Sequence, residues 1–162
     1  MTDSAADDMT EFHWMMDMIQ SIDVGIVVID KEGRVKVWNG FMESHSGLLP
    51  SDVRDKTLFE LFEEVDAEWL KNKMRPVIEL RNRAFITWEQ RPFLFKFRNY
   101  RPITGAEDFM YQNIILSPLT THTGQVENIS ITIYDMTDVA TSKKLLEATQ
   151  VTLDENLERQ SA

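Results

Sequence analysis

The segment that most restricts the fold is residues 124–138, GQVENISITIYDMTD. A turn containing Gly124 opens it. Ile129, Ile131 and Ile133 then alternate with Ser130, Thr132 and Tyr134, the period-two pattern of a strand with one face buried. The alternation stops at Asp-Met-Thr-Asp, and a polar stretch with heptad-like spacing carries the chain onward. A strand that runs straight into an exposed helix suits mechanical output better than catalysis, and it points to a sensor that acts through its C-terminal exit.

The bulk properties narrow the setting. A chain of 162 residues with 43% hydrophobic residues is expected to form one domain with a real core. A net charge of −10 argues against nucleic acid and anionic membrane surfaces as partners. No run of about 18 apolar residues is available to span a bilayer. The acidic start MTDSAADDMTEF lacks the positive charge of a signal peptide, so the chain reads as a soluble cytoplasmic domain. Cysteine is absent, which excludes disulfides, thiolate metal sites, cysteine nucleophiles and covalent cysteinyl-flavin chemistry.

Residues 1–8 are small and acidic and are expected to be disordered. Met9, Phe12, Met16 and Ile19, widened by Met15, form a helical stripe. GIVVIDKEGRVKVWN, residues 25–39, reads as a hairpin whose Gly33 supplies a positive φ. Asn39 is placed to cap a short helix around Phe41, Met42 and His45. Residues 47–65 read as short helical turns with Leu58, Leu61 and Phe62 on one apolar face. A longer helix is predicted over 66–82, burying Trp69, Leu70, Met74, Val77 and Ile78. Pro76 should kink or interrupt it. Three strands are predicted over 85–97, 108–117 and 126–135, separated by an Arg101-Pro102-Ile103-Thr104-Gly105 turn and a turn over 121–125.

Two strands, a helical middle and three strands make an α+β domain with a five-stranded antiparallel sheet and helices on one face. The divisions expected are a tail and amphipathic helix over 1–20, a sensor domain over 21–138, and a helical linker over 139–162. The space between sheet and helices is the natural place for a small ligand.

Three pieces in this order resemble the PAS domain, a sensory module of bacterial signalling proteins. They are the hairpin GIVVIDKEGRVKVWN with its closing asparagine, HSGLLPSDVRDKTLFELF, and the final strand with its Asp-x-Thr ending. The resemblance runs from about Ser21 to Val139 and implies a PAS-like sheet. It also implies that Asp135 and Thr137 hand a signal to the exit helix. Asp135 is suited to bond backbone donors or a cation such as Arg34, and Thr137 to cap the helix beside it. ITWEQRPFLFKF and FMYQNIILSPL are similar to PAS domains placed before GGDEF diguanylate cyclase domains. That makes a cyclase of c-di-GMP signalling the first expectation for a C-terminal effector and a histidine kinase the second.

Further candidates follow from residue types. Leu146, Gln150, Leu153 and Leu157, with Val139 one heptad before Leu146, suit a two-stranded coiled-coil linker. The competing reading is one amphipathic helix packing back on its own domain. Met9, Phe12, Met16 and Ile19 suit either a homodimer contact or a lid on the sheet. Trp88, Gln90, Tyr111, Asn113 and Met42 are the ligand-pocket candidates; an aromatic wall with amides suits a planar heterocycle or a carboxylate. Alternatively the aromatics are core residues and the cavity is filled. No catalytic or metal-binding residue is assigned. Residues 63–83 contain no histidine where haem-binding relatives place an axial ligand. His45 is then the remaining candidate, and a surface role is favoured for it over haem. His13 and His122 read as exposed. Non-covalent flavin or a small metabolite stays open as the ligand. A ligand-free dimerisation module is the second functional reading. A small cavity enzyme using Tyr111 and an Asp is a remote third, because Phe109–Leu116 carries no acidic residue and the preceding strand only Glu89.

Overall fold

The structure, a computed structural model, describes residues 2–98 and 108–161. The elements in chain order are α1 (Thr2–Ser21), β1 (Gly25–Asp30), β2 (Val35–Trp38), α2 (Gly40–Ser46), α3 (Pro50–Val53), α4 (Leu58–Leu61), α5 (Ala67–Leu80), β3 (Ala84–Ile86), β4 (Gln112–Thr120), β5 (Val126–Asp135) and α6 (Thr137–Ser161). The strands form one antiparallel sheet in the order β2-β1-β5-β4-β3. The terminal strand of the sequence therefore lies at the centre.

Register follows the alternation. Val27 pairs with Ile131, and Ile131 with Leu116, so three fully buried side chains form one row across the sheet. Phe41 and Met42 of α2, Val53 of α3, Leu58 of α4, and Leu70, Met74 and Val77 of α5 belong to the same apolar cluster and cover that face. Within the cluster, Phe62 and Phe95 meet edge-on at 5.0 Å, Trp38 stacks on Phe62 at 5.8 Å, and Phe97 lies parallel to Phe95 at 5.4 Å. Aromatic side chains of the chain itself thus fill space between the sheet and the helices.

The hairpin closes as its sequence suggests, with Gly33 at φ 87° and Asp30 Oδ1 accepting from the amides of Glu32 and Arg34. A side chain at Gly33 would also meet the Phe59 ring at 2.8 Å. Asn39 caps α2 and does more. Its Oδ1 accepts from Ile26 N at 3.0 Å and Met42 N at 3.4 Å, while its Nδ2 donates to Ile19 O and Val24 O. One buried amide thereby ties the end of α1 to β1 and α2. Gly40 allows the approach, since a Cβ there would lie 2.3 Å from Gln20 O.

Several expectations change. Residues 2–8, expected to be disordered, belong to α1. Pro76 sits inside α5, which continues unbroken to Leu80. A proline inside a helix costs about 3 kcal/mol, whereas burying Leu70, Met74 and Val77 returns roughly 1.5–3 kcal/mol each, so packing decides. The strand expected over 85–97 stops at Ile86, and β4 begins at Gln112 rather than 108. Arg34 pairs with Asp30 and Glu32, each at 3.6 Å, and not with Asp135. The expected 101–105 turn lies outside the described residues.

Candidate functional site

Side-chain and backbone hydrogen bonds converge at the end of β5. Asp135 Oδ1 accepts from Thr137 N at 3.0 Å and from Thr137 Oγ1 at 2.6 Å. The Thr137 hydroxyl in turn accepts from Tyr111 N at 3.2 Å, and Tyr111 O accepts from Met136 N at 2.7 Å. Thr137 therefore spends its hydroxyl on the neighbouring chain segment rather than on the helix start. Asp135 satisfies the helix amide, where a carboxylate is favoured by the N-terminal dipole. The last strand, the segment entering β4 and the first turn of α6 are locked together.

A second contact fastens the same segment further along α6. Lys144 Nζ donates to the Tyr111 hydroxyl, and its ammonium lies 4.6 Å from the Tyr111 ring centroid. Tyr111 packs edge-on against Trp88 at 5.6 Å. Lys143 donates to Glu89 Oε1 at 2.9 Å, a bond that holds its pKa above the usual lysine value. Thr137 and Ala140 are buried, whereas every described side chain from residue 142 onward is exposed. The exit helix is docked at its root and bare beyond it.

The joint borders a cavity of about 400 Å³. Phe41, His45 and Met110 contribute to its wall, and Asp23, Asp135 and Arg98 bring charge. His45 sits 4.3 Å from the Phe41 ring and 5.9 Å from the Phe97 ring. Burial pulls its pKa below the ordinary histidine value, against the opposing pull of Asp135 and Asp23. Among the described residues, no group of three or more His, Cys, Asp or Glu side chains is arranged to hold a metal ion.

The sequence candidates separate into distinct places. Met42 is fully buried in the core. Trp88 and Tyr111 meet under α6, and Asn113 Oδ1 accepts from Trp88 N at 2.9 Å. Gln90 is exposed, and its side chain closes a turn by accepting from Thr87 N. None of these five residues lines the cavity beside the joint. Met9, Phe12 and Met16 are exposed on α1, with Ile19 partly covered, and Leu146, Leu153 and Leu157 are exposed on α6. His13 and His122 are exposed.

Sequence reasoning passed over Gln112. It is fully buried, its Oε1 accepts from Leu94 N and Phe95 N, and its Nε2 donates to Phe95 O. A glutamine between Tyr111 and the apolar run Asn-Ile-Ile-Leu keeps the alternation but puts an amide on the inward face, and that was the available signal.

Comparison with known proteins agrees with this geometry. The family model described as the PAS fold matches residues 15–104, more than half of the chain. The chain belongs to the PAS family. PAS domains are sensory, and the five-stranded sheet with flanking helices is their fold. The domain is similar to a sensory box sensor histidine kinase from Vibrio cholerae, at 24% identity over 83% of this chain and 98% of the other, with TM-score 0.56. It is also similar to the PAS domain of an HTR-like protein from Haloarcula marismortui, at 13% identity over 83% and 99% of the two chains, TM-score 0.60. A third similarity is to histidine kinase ThkA in complex with the response regulator TrrA. There the identity is 22%, coverage is 90% of this chain and 39% of that one, and the TM-score is 0.59. No curated protein matches the sequence. Among the described residues, no helix is long and apolar enough to cross a membrane.

Proposed function

We propose that this PAS domain is a non-catalytic sensory relay, spanning residues 21–138, that biases a covalently attached C-terminal effector through a linker over 139–162. The observation that carries the reading is the joint in which Asp135, Thr137, Tyr111 and Lys144 bind the root of α6 to the sheet. A change at the strand ends then changes the direction or docking of the helix, a shift between two populations rather than a chemical step. The cavity beside the joint supports a small molecule carrying charged groups as the input, because the core itself is filled with aromatic side chains. The exposed apolar residues of α1 and α6 support a homodimer, whose two-fold pairing would set two exit helices side by side.

For the effector, a histidine kinase gains support from the kinases named among the similar structures. The diguanylate cyclase reading rests on sequence resemblance alone. Replacing both Asp135 and Thr137 with alanine in the full-length protein tests the relay. Effector output should lose its dependence on the signal, while the domain stays folded. Output that still follows the signal would refute the relay. Native mass spectrometry and an absorbance spectrum of the purified chain would identify a bound metabolite or flavin.

A further inference from the structure

Pairing of β3 with β4 ends at Ile86 and Ile114, then resumes as a single bridge between Arg98 and Phe109. Eleven residues separate Ile86 from Arg98, but only four separate Phe109 from Ile114. The strand therefore carries a seven-residue excursion that leaves the sheet and reaches in two directions.

Toward the helical side, Arg91 lays its guanidinium over the Trp69 ring of α5, 4.1 Å from the centroid. Its Nε is buried and has no hydrogen-bond partner among the described residues, so the ring face is what holds it. Toward the exit, Glu89 accepts from Lys143 of α6 at 2.9 Å, and the same ammonium lies 5.7 Å from the Trp88 ring. A tight turn joins the two grips: the amides of Gln90 and Arg91 donate to Thr87 O, and Thr87 N donates to Gln90 Oε1. Gln112 fastens the far end through Leu94 and Phe95.

We propose that residues 87–93 form a clamp through which α5 sets the docking of α6, a regulation of the output joint that rests on the relay reading above. Helix α5 is a suitable origin, because Leu70, Met74 and Val77 place it in the core, where a change of packing is felt first. No continuous strand ladder holds the segment. Its grip on α6 is an ion pair whose side chains are 46% and 56% exposed, together with a cation–ring contact. Such exposed pairs are weak, so the clamp opens without disturbing the strands.

The test is amide hydrogen exchange along α6 in the 162-residue chain carrying Arg91→Ala. Arg91 grips α5, so any effect on α6 must pass through the clamp. Exchange in residues 140–147 should quicken at least about threefold, with the amides of β1 and β5 unchanged, as expected for a local opening. Arg91→Lys keeps the charge but loses the planar stack, and it should reproduce the effect in a chain with little risk of misfolding. Glu89→Gln should act in the same direction. Unchanged α6 exchange in both Arg91 variants, alongside faster exchange in Glu89→Gln, would reduce the ion pair to a local contact and overturn the clamp. Tyr111→Phe separates the two ideas. If it loosens α6 while the Arg91 variants do not, the joint stands and the clamp fails. If neither loosens α6, the clamp fails, while the relay, whose contacts at Tyr111 N and O survive in Phe, is decided by the Asp135 and Thr137 variant.

Discussion

Asn39 shows how much one side chain can carry when it is buried and fully used. Its position after Trp38 marked it as a helix cap, and it caps α2. The bonds that its Nδ2 donates to Ile19 O and Val24 O depend on where α1 ends and were invisible in the sequence. Each buried group left without its partner costs about 1–3 kcal/mol, so this amide is a structural hub, not a surface cap. His45 yields a pH prediction. Burial between Phe41 and Phe97 holds its folded pKa below the ordinary value. As pH falls toward and below about 6.5, the unfolded chain therefore takes up the proton more readily than the folded one. Stability contributed by the neutral ring is present above that range and lost below it. The urea midpoint should fall more between pH 7.5 and 5.5 in the parent than in His45→Gln. Equal falls would sink the argument.

At the scale of elements, the central strand and the exit helix were the most legible features, and β3 was the least. The alternation over 129–134 has only one period that fits it, and β5 spans Val126–Asp135 as that period requires. ITWEQRPFLFKF also reads as a strand by composition, yet only its first residue, Ile86, continues into β3. The remainder is drawn away by contacts distant in sequence: the Gln112 amide takes the places of ladder partners for Leu94 and Phe95. Pro92 has no amide to donate, although its carbonyl still accepts from Gln112 N. For α6, Leu146, Leu153 and Leu157 are 70%, 51% and 63% exposed. A polar helix gains little stability of its own, so these positions are expected to pair with a second copy. Changing all three to serine should raise the dimer dissociation constant at least about tenfold, which is about 1.4 kcal/mol, by sedimentation equilibrium. An unchanged constant would put the dimer contact elsewhere, with α1 the next surface to test.

Across the whole molecule, aromatic side chains fill the core. Phe95 is fully buried among Trp38, Phe62 and Phe97. Phe95→Ala should cost about 3–5 kcal/mol by the transfer and cavity terms together, read as a lower chemical-denaturation midpoint. The variant should also take up a small aromatic such as indole, which would raise its melting temperature. A loss under about 1 kcal/mol would show that the core had collapsed around the gap or was never tightly packed. The sequence by itself determined the α+β class, the hairpin and the strand over 126–135, because each depends on local periodicity or turn chemistry. The Asp-x-Thr exit rested on the resemblance to PAS domains, and the central place of that strand on the sheet order. Only the tertiary structure decided that Trp88 and Tyr111 lie under α6 while Met42 lies in the core, and that residues 87–93 bridge α5 and α6. The physical reason is register. Which face a side chain takes, and whether a strand-like segment finds a partner, depends on residues far away in the chain.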